Sequence, residues 1–158
     1  MQVAIIFGSK SDAEIMKKAA DVCKDFGISY SAHVISAHRS PELLQKTVKQ
    51  VEKDGAEVII AGAGLAAHLP GVITSLTTLP VIGVPIASGG LGGLDALLAI
   101  VQMPKPMPVA TVGINNAANA GYLACQILAN KDSALKQKFE EYRASMKAEL
   151  EKNANFSF

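Results

Sequence analysis

His38 and Arg39 stand side by side in Ser36-Ala37-His38-Arg39-Ser40-Pro41, a stretch that sets a proton-transfer group beside a fixed positive charge. Imidazole titrates near neutrality, so it can give a proton and later take one back. A guanidinium grips a phosphate or carboxylate through a fork of two hydrogen bonds. Neither side chain is needed to fill a core. The plainer alternative is an exposed loop histidine next to a solvated arginine.

Two other stretches carry matching chemistry. Gly8-Ser9-Lys10-Ser11-Asp12 leads into a helical pattern, where free backbone N–H groups and the helix dipole favour an anion. Ser9 and Ser11 add hydroxyl donors and Asp12 can accept from ribose hydroxyls, although Ser and Asp are also ordinary helix caps. The run from Gly62 through Ala63, Gly64, Leu65, Ala66 and Ala67 to His68, Leu69 and Pro70 is built of small residues that let the backbone approach a ligand closely. His68 within it either contacts that ligand or steadies the loop. His33 falls inside a strand-like run and reads as structural. The chain has no GxGxxG or GxxxxGK[ST] loop, no HExxH and no nucleophile elbow, so acid/base chemistry on a bound anion fits best.

These loops need elements to hold them. Gln2 to Phe7 is a short apolar run, followed by Ile15, Ala19, Val22, Cys23 and Phe26 at helical spacing. Ser11 with Glu14 has the form of a capping box, and Gly27 sits where a helix-ending glycine belongs. A second strand is expected from about Ile28 to Ile35. Ser40 and Pro41 then open a helix whose apolar face carries Leu43, Leu44, Thr47, Val48 and Val51. Val58 to Ala61 reads as a strand buried on both faces. Pro80–Pro85 and Pro108–Ile114 supply two more strands, each followed by a helix. Leu135, Phe139, Tyr142, Met146 and Leu150 stripe a C-terminal amphipathic helix over about 132–152. Strands alternating with helices give an α/β fold: a three-layer, doubly wound, parallel five-stranded sheet in the flavodoxin-like order 2-1-3-4-5. In that order the first three strands are neighbours, so the three loops after them converge at the switch point.

Composition sets the outer bounds. A length of 158 residues suits a single domain, 1–158, and no apolar run approaches a membrane span. The start, MQVAIIFGSK, reads as a strand rather than a leader, and two distant cysteines suggest neither a metal site nor a disulfide framework. A cytoplasmic protein is expected. Net charge of +1 argues against a general nucleic-acid binder. From Gly55 to Asn130 the only charged residues are Glu57, Asp95 and Lys105, whereas Lys131 to Lys152 holds eleven charges. A small monomer cannot hide so long an uncharged segment completely, so part of it is expected to be covered by other subunits, the plainer alternative being an unusually apolar but solvated surface.

With those residues in hand, the chain resembles the N5-carboxyaminoimidazole ribonucleotide mutase family of purine biosynthesis, in its bacterial class. GSKSD (8–12), SAHRSP (36–41), AGAGLAAHLPG (61–71), GLDALLAIVQMP (93–104) and NNAANAG (115–121) carry the resemblance, in order, across essentially the whole chain. It implies conversion of N5-carboxyaminoimidazole ribonucleotide to 4-carboxyaminoimidazole ribonucleotide without metal or organic cofactor, by a homo-octamer. It implies that Ser9, Ser11 and Asp12 bind the ribose-phosphate, with Ser36 and Arg39 completing the phosphate site. It makes His38 the acid/base, and places Ala37, Ala63, Gly64, His68 and Leu69 around the base and the migrating carboxylate. Leu65 stands where many members carry glycine, so altered loop packing is expected there. The related class that carboxylates aminoimidazole ribonucleotide with CO2 commonly has Lys after the His, unlike Arg39. That carboxylase is the nearest alternative; a non-catalytic phosphosugar- or flavin-binding module is the alternative of another kind.

Overall fold

In a computed structural model, residues 1–155 are described. Five parallel strands form one sheet in the order β2-β1-β3-β4-β5. They are β1 (Val3–Phe7), β2 (Tyr30–Val34), β3 (Val58–Gly64), β4 (Val81–Ile86) and β5 (Ala110–Thr111). The helices are α1 (Ala13–Phe26), α2 (Pro41–Lys53), α3 (Leu69–Thr74), α4 (Leu94–Val101), α5 (Ala117–Ala129) and α6 (Ser133–Lys152). None is long and apolar enough to cross a membrane.

Strand period and helix period build two cores on opposite faces of the sheet. Along β1, Val3, Ile5 and Phe7 face α1, α5 and α6, while Ala4 and Ile6 face α2, α3 and α4. Leu44, Val48 and Val51 bury one stripe of α2, and Ala19, Val22, Cys23 and Phe26 bury one stripe of α1. Gly27 ends α1 in the left-handed region at φ 74°, as the sequence predicts, and Pro41 takes the first position of α2. The switch point lies where β1 pairs with β2 on one side and β3 on the other.

Two elements differ from the sequence reading. β3 continues through Gly62, Ala63 and Gly64, residues with little strand preference, because β1 and β4 pair with it along its length. β5 shrinks to two residues. Pro104, Pro106 and Pro108 have no N–H to give a ladder, and beyond Thr111 the chain bends at Asn115, φ 58°, whose N–H donates to Pro85 O.

Candidate functional site

A cavity of about 480 Å³ opens beyond the carboxyl ends of β1, β2, β3 and β4. Its lining brings together all the residues singled out above: Ser9, Ser11 and Asp12; Ser36, Ala37, His38 and Arg39; Ala63, Gly64, His68 and Leu69. Gly8, Leu65, Ala66 and Ser88 complete it.

The first loop is preorganised by its own side chains. Ser9 caps a short 3-10 turn over Lys10–Asp12, and Asp12 Oδ2 accepts from Ser9 N at 3.1 Å. The capping box is thus Ser9 with Asp12, two residues earlier than the Ser11–Glu14 pair that the sequence suggests. Ser11 Oγ donates to Ser9 Oγ at 2.8 Å and lies 3.2 Å from Asp12 Oδ1, closing a small polar ring. Asp12 is buried to 6% exposure, and that burial raises its pKa against the hydrogen bonds from Ser11 and Ser9, which lower it.

The second loop is a turn held by Ser36. Ser40 N donates to Ser36 O at 3.0 Å, and Arg39 N donates to Ser36 Oγ at 3.3 Å. Ser40 holds the N-cap position of α2, but its side chain makes no capping bond. The turn pushes His38 and Arg39 outward, both exposed. Arg39 Nη2 reaches across to Gly8 O at 3.3 Å, so the guanidinium sits over the β1 loop with its remaining N–H donors free for a ligand.

The third loop answers the question left open for His68. His38 Nε2 and His68 Nδ1 lie 2.8 Å apart with their rings nearly perpendicular, so one nitrogen donates and the other accepts. The bond spans 30 residues of sequence, and no local pattern foretells it. Two tight turns, His68 N to Ala66 O and Ala67 N to Leu65 O, each at 2.8 Å, fix the histidine in place. Leu65 adopts φ 55°, a conformation that favours glycine and costs other residues on the order of 1 kcal/mol. Leu65, Ala66 and His68 are exposed, whereas Ala63 and Leu69 are buried. The apolar residues Ala63 and Leu69 therefore form the floor of the cavity. His33, expected to be structural, bonds Ser31 Oγ at 2.9 Å and lies outside the cavity.

Ser88 was not singled out by the sequence, because the glycine-rich connection after β4 reads as a simple linker. The only available signal was its place at the end of a strand flanking the switch point. Among the described residues no cluster of three or more His, Cys, Asp and Glu side chains is placed to hold a metal ion.

A family model described as AIR carboxylase matches residues 2–149. The chain belongs to this family. Within it, the chain is 55% identical over 152 residues to a protein of Pyrococcus horikoshii, covering 96% of this chain and 86% of that one. It is 53% identical over 149 residues to a protein of Thermotoga maritima, covering 94% and 87%. Both relatives are named N5-carboxyaminoimidazole ribonucleotide mutase. Among solved structures, Treponema denticola PurE superposes with a TM-score of 0.89 at 27% identity, covering 96% of this chain and 95% of that one.

Proposed function

We propose that this chain is an N5-carboxyaminoimidazole ribonucleotide mutase, an isomerase of purine biosynthesis that yields 4-carboxyaminoimidazole ribonucleotide. The observation that carries the reading is one cavity that joins an anion-binding loop, a free guanidinium and a bonded pair of histidines. Ser9, Ser11 and Asp12 bind the ribose-phosphate at the start of α1, where Arg39 and Ser36 add donors. The base then lies over Ala63, Gly64 and Leu69, near His38.

The chemistry follows from that placement. The N–CO2 bond of the carbamate breaks, its electron pair returns to nitrogen, and His38 supplies the proton. The enamine-like C4 attacks the freed CO2, and the now neutral His38 removes the C4 proton. One histidine thus serves both halves, a contribution typically of about 10²–10⁴-fold. His68 orients the His38 ring through their shared hydrogen bond, and Ala37 at the turn leaves room beside it. Holding CO2 against the carbon supplies much of the remaining rate.

The active form is a homo-oligomer, an octamer in keeping with the resemblance, with 1–158 acting as one mutase domain. Exposed Leu94, Leu98 and Val101 on α4 support subunit contacts within the charge-poor segment. Two buried free cysteines, Cys23 and Cys125, suit the reducing cytoplasm.

The decisive experiment supplies each ribonucleotide separately while bicarbonate is varied. Turnover of the carboxylated substrate without bicarbonate supports the mutase; turnover of only the uncarboxylated one identifies a CO2-using carboxylase. His38→Asn is expected to lose about 10²–10⁴-fold in kcat while binding substrate and melting like the parent. Arg39→Ala is expected to weaken binding first, and equal loss of binding in both variants would contradict this division of roles.

A further inference from the structure

Ser88 sits at the carboxyl end of the cavity's fourth strand, in an extended conformation just before a 3-10 turn over Gly89–Leu91. Ser9 occupies the equivalent place after β1, with nearly the same backbone angles before its own 3-10 turn. The two hydroxyls behave differently. Ser9 Oγ accepts from Ser11 N, whereas the Ser88 side chain makes no capping bond. Instead its oxygen is turned toward Gly64: a Cβ placed on that glycine would come within 2.6 Å of Ser88 Oγ and 3.0 Å of Ile86 O. Gly64 therefore lets the Ser88 side chain lie close against the end of β3, at the wall of the cavity, where even a methyl would not fit between them. Leu65 stands over the following turn, with Cδ2 3.0 Å from where a Gly89 Cβ would be.

We infer that the Ser88 hydroxyl, on the cavity wall beside Gly64, holds the carboxyl group in transit, donating a hydrogen bond to it as CO2 inside the cavity. This rests on the mutase reading above. Free CO2 is linear and uncharged, so Arg39 and the anion loop give it no strong hold. A neutral hydroxyl donor on the cavity wall, not used in capping the turn that follows it, suits it better. The bond also strengthens during the reaction. As C4 attacks, a C–C bond forms, one C=O electron pair moves onto oxygen, and the growing carboxylate accepts more strongly from Ser88 O–H. No proton leaves Ser88; His38 carries out both proton transfers.

The test measures kcat, KM and the entry of label from ¹³C-bicarbonate into product, for the parent, Ser88→Ala and Ser88→Thr. Extended backbone at φ −141° suits both replacements, so neither should disturb the loop. For Ser88→Ala the expected result is a fall in kcat of about 10- to 100-fold with KM little changed. Label entry per turnover should rise as CO2 escapes and exchanges. Ser88→Thr, which keeps the hydroxyl, should stay near the parent in both. Parent-like kcat and label entry in Ser88→Ala would overturn the inference, as would a rise in KM alone. If the parent itself does not convert the carboxylated substrate, the mutase reading fails, an outcome visible before any variant is made.

Discussion

Asp12 is a buried carboxyl whose charge the fold does not favour. Burial raises its pKa, the opposing hydrogen bonds from Ser11 and Ser9 being smaller. A raised value means that folding favours the protonated carboxyl. Its stabilising contribution is full below the unfolded value of 3.8 and is lost as pH rises through the folded value. At neutral pH the charged group is therefore a liability to the fold. Asn in its place still accepts from Ser9 N, and its amide can donate to Ser11 Oγ. Asp12→Asn should accordingly melt at or above the parent temperature at pH 7, with the gap closing as pH is lowered toward 3.8. Ribonucleotide affinity should fall by roughly tenfold, the loss of a charged hydrogen-bond partner. Calorimetry across pH, with a binding titration, checks both; a lower melting temperature at pH 7 would show that the carboxylate is structural after all.

At the scale of elements, α1 and α5 pack closely. Gly121 lets them approach, since a Cβ there would lie 2.8 Å from Val22 Cβ and 3.1 Å from Ala19 O. Gly121→Ala should gain about 1 kcal/mol of helix propensity, yet overpacking costs about 1–3 kcal/mol. The obstacles are a backbone carbonyl and a β-branched carbon, neither free to move, so a net loss of up to about 2 kcal/mol and a melting point several degrees lower are expected. An unchanged or higher melting point would mean that the helices separate easily. The sequence could not announce this contact, because a glycine inside a helical pattern looks the same whether or not another helix presses on it. Local signals did better elsewhere. Alternation along Val3–Phe7, the Gly27 and Pro41 punctuation and the stripe on α2 placed the strands, the helices and the three converging loops. What stayed illegible is non-local: the His38–His68 bond, the pairing that turns Gly62–Gly64 into strand, and Ser88 facing Gly64.

At the scale of the whole molecule, several large apolar side chains are exposed among the described residues. Leu91, Leu94, Leu98 and Val101 are each about half or more exposed, and all lie in the segment that carries only three charges. The stripe on α6 divides in the same way: Leu135 and Phe139 are buried against the aromatic cluster of Phe26, Tyr122 and Tyr142, whereas Met146 and Leu150 run out into solvent. Exposed apolar side chains of this kind fit the proposed contacts between subunits. A charge placed on such a face separates the two cases. On a monomer, Leu98→Glu replaces one exposed side chain by another and should shift stability by no more than about 0.5 kcal/mol. Within an assembly it buries an unpaired carboxylate at every copy of the interface, which is far more costly. Sedimentation should find the parent at a multiple of 16.5 kDa and Leu98→Glu at a smaller species with a lower melting temperature. Turnover should fall with it, because the exposed side of the cavity at Leu65, Ala66 and His68 would lose whatever a neighbouring subunit lends to keep CO2 in. A parent that sediments as a monomer, or a variant that keeps mass and melting point, would show that α4 faces water.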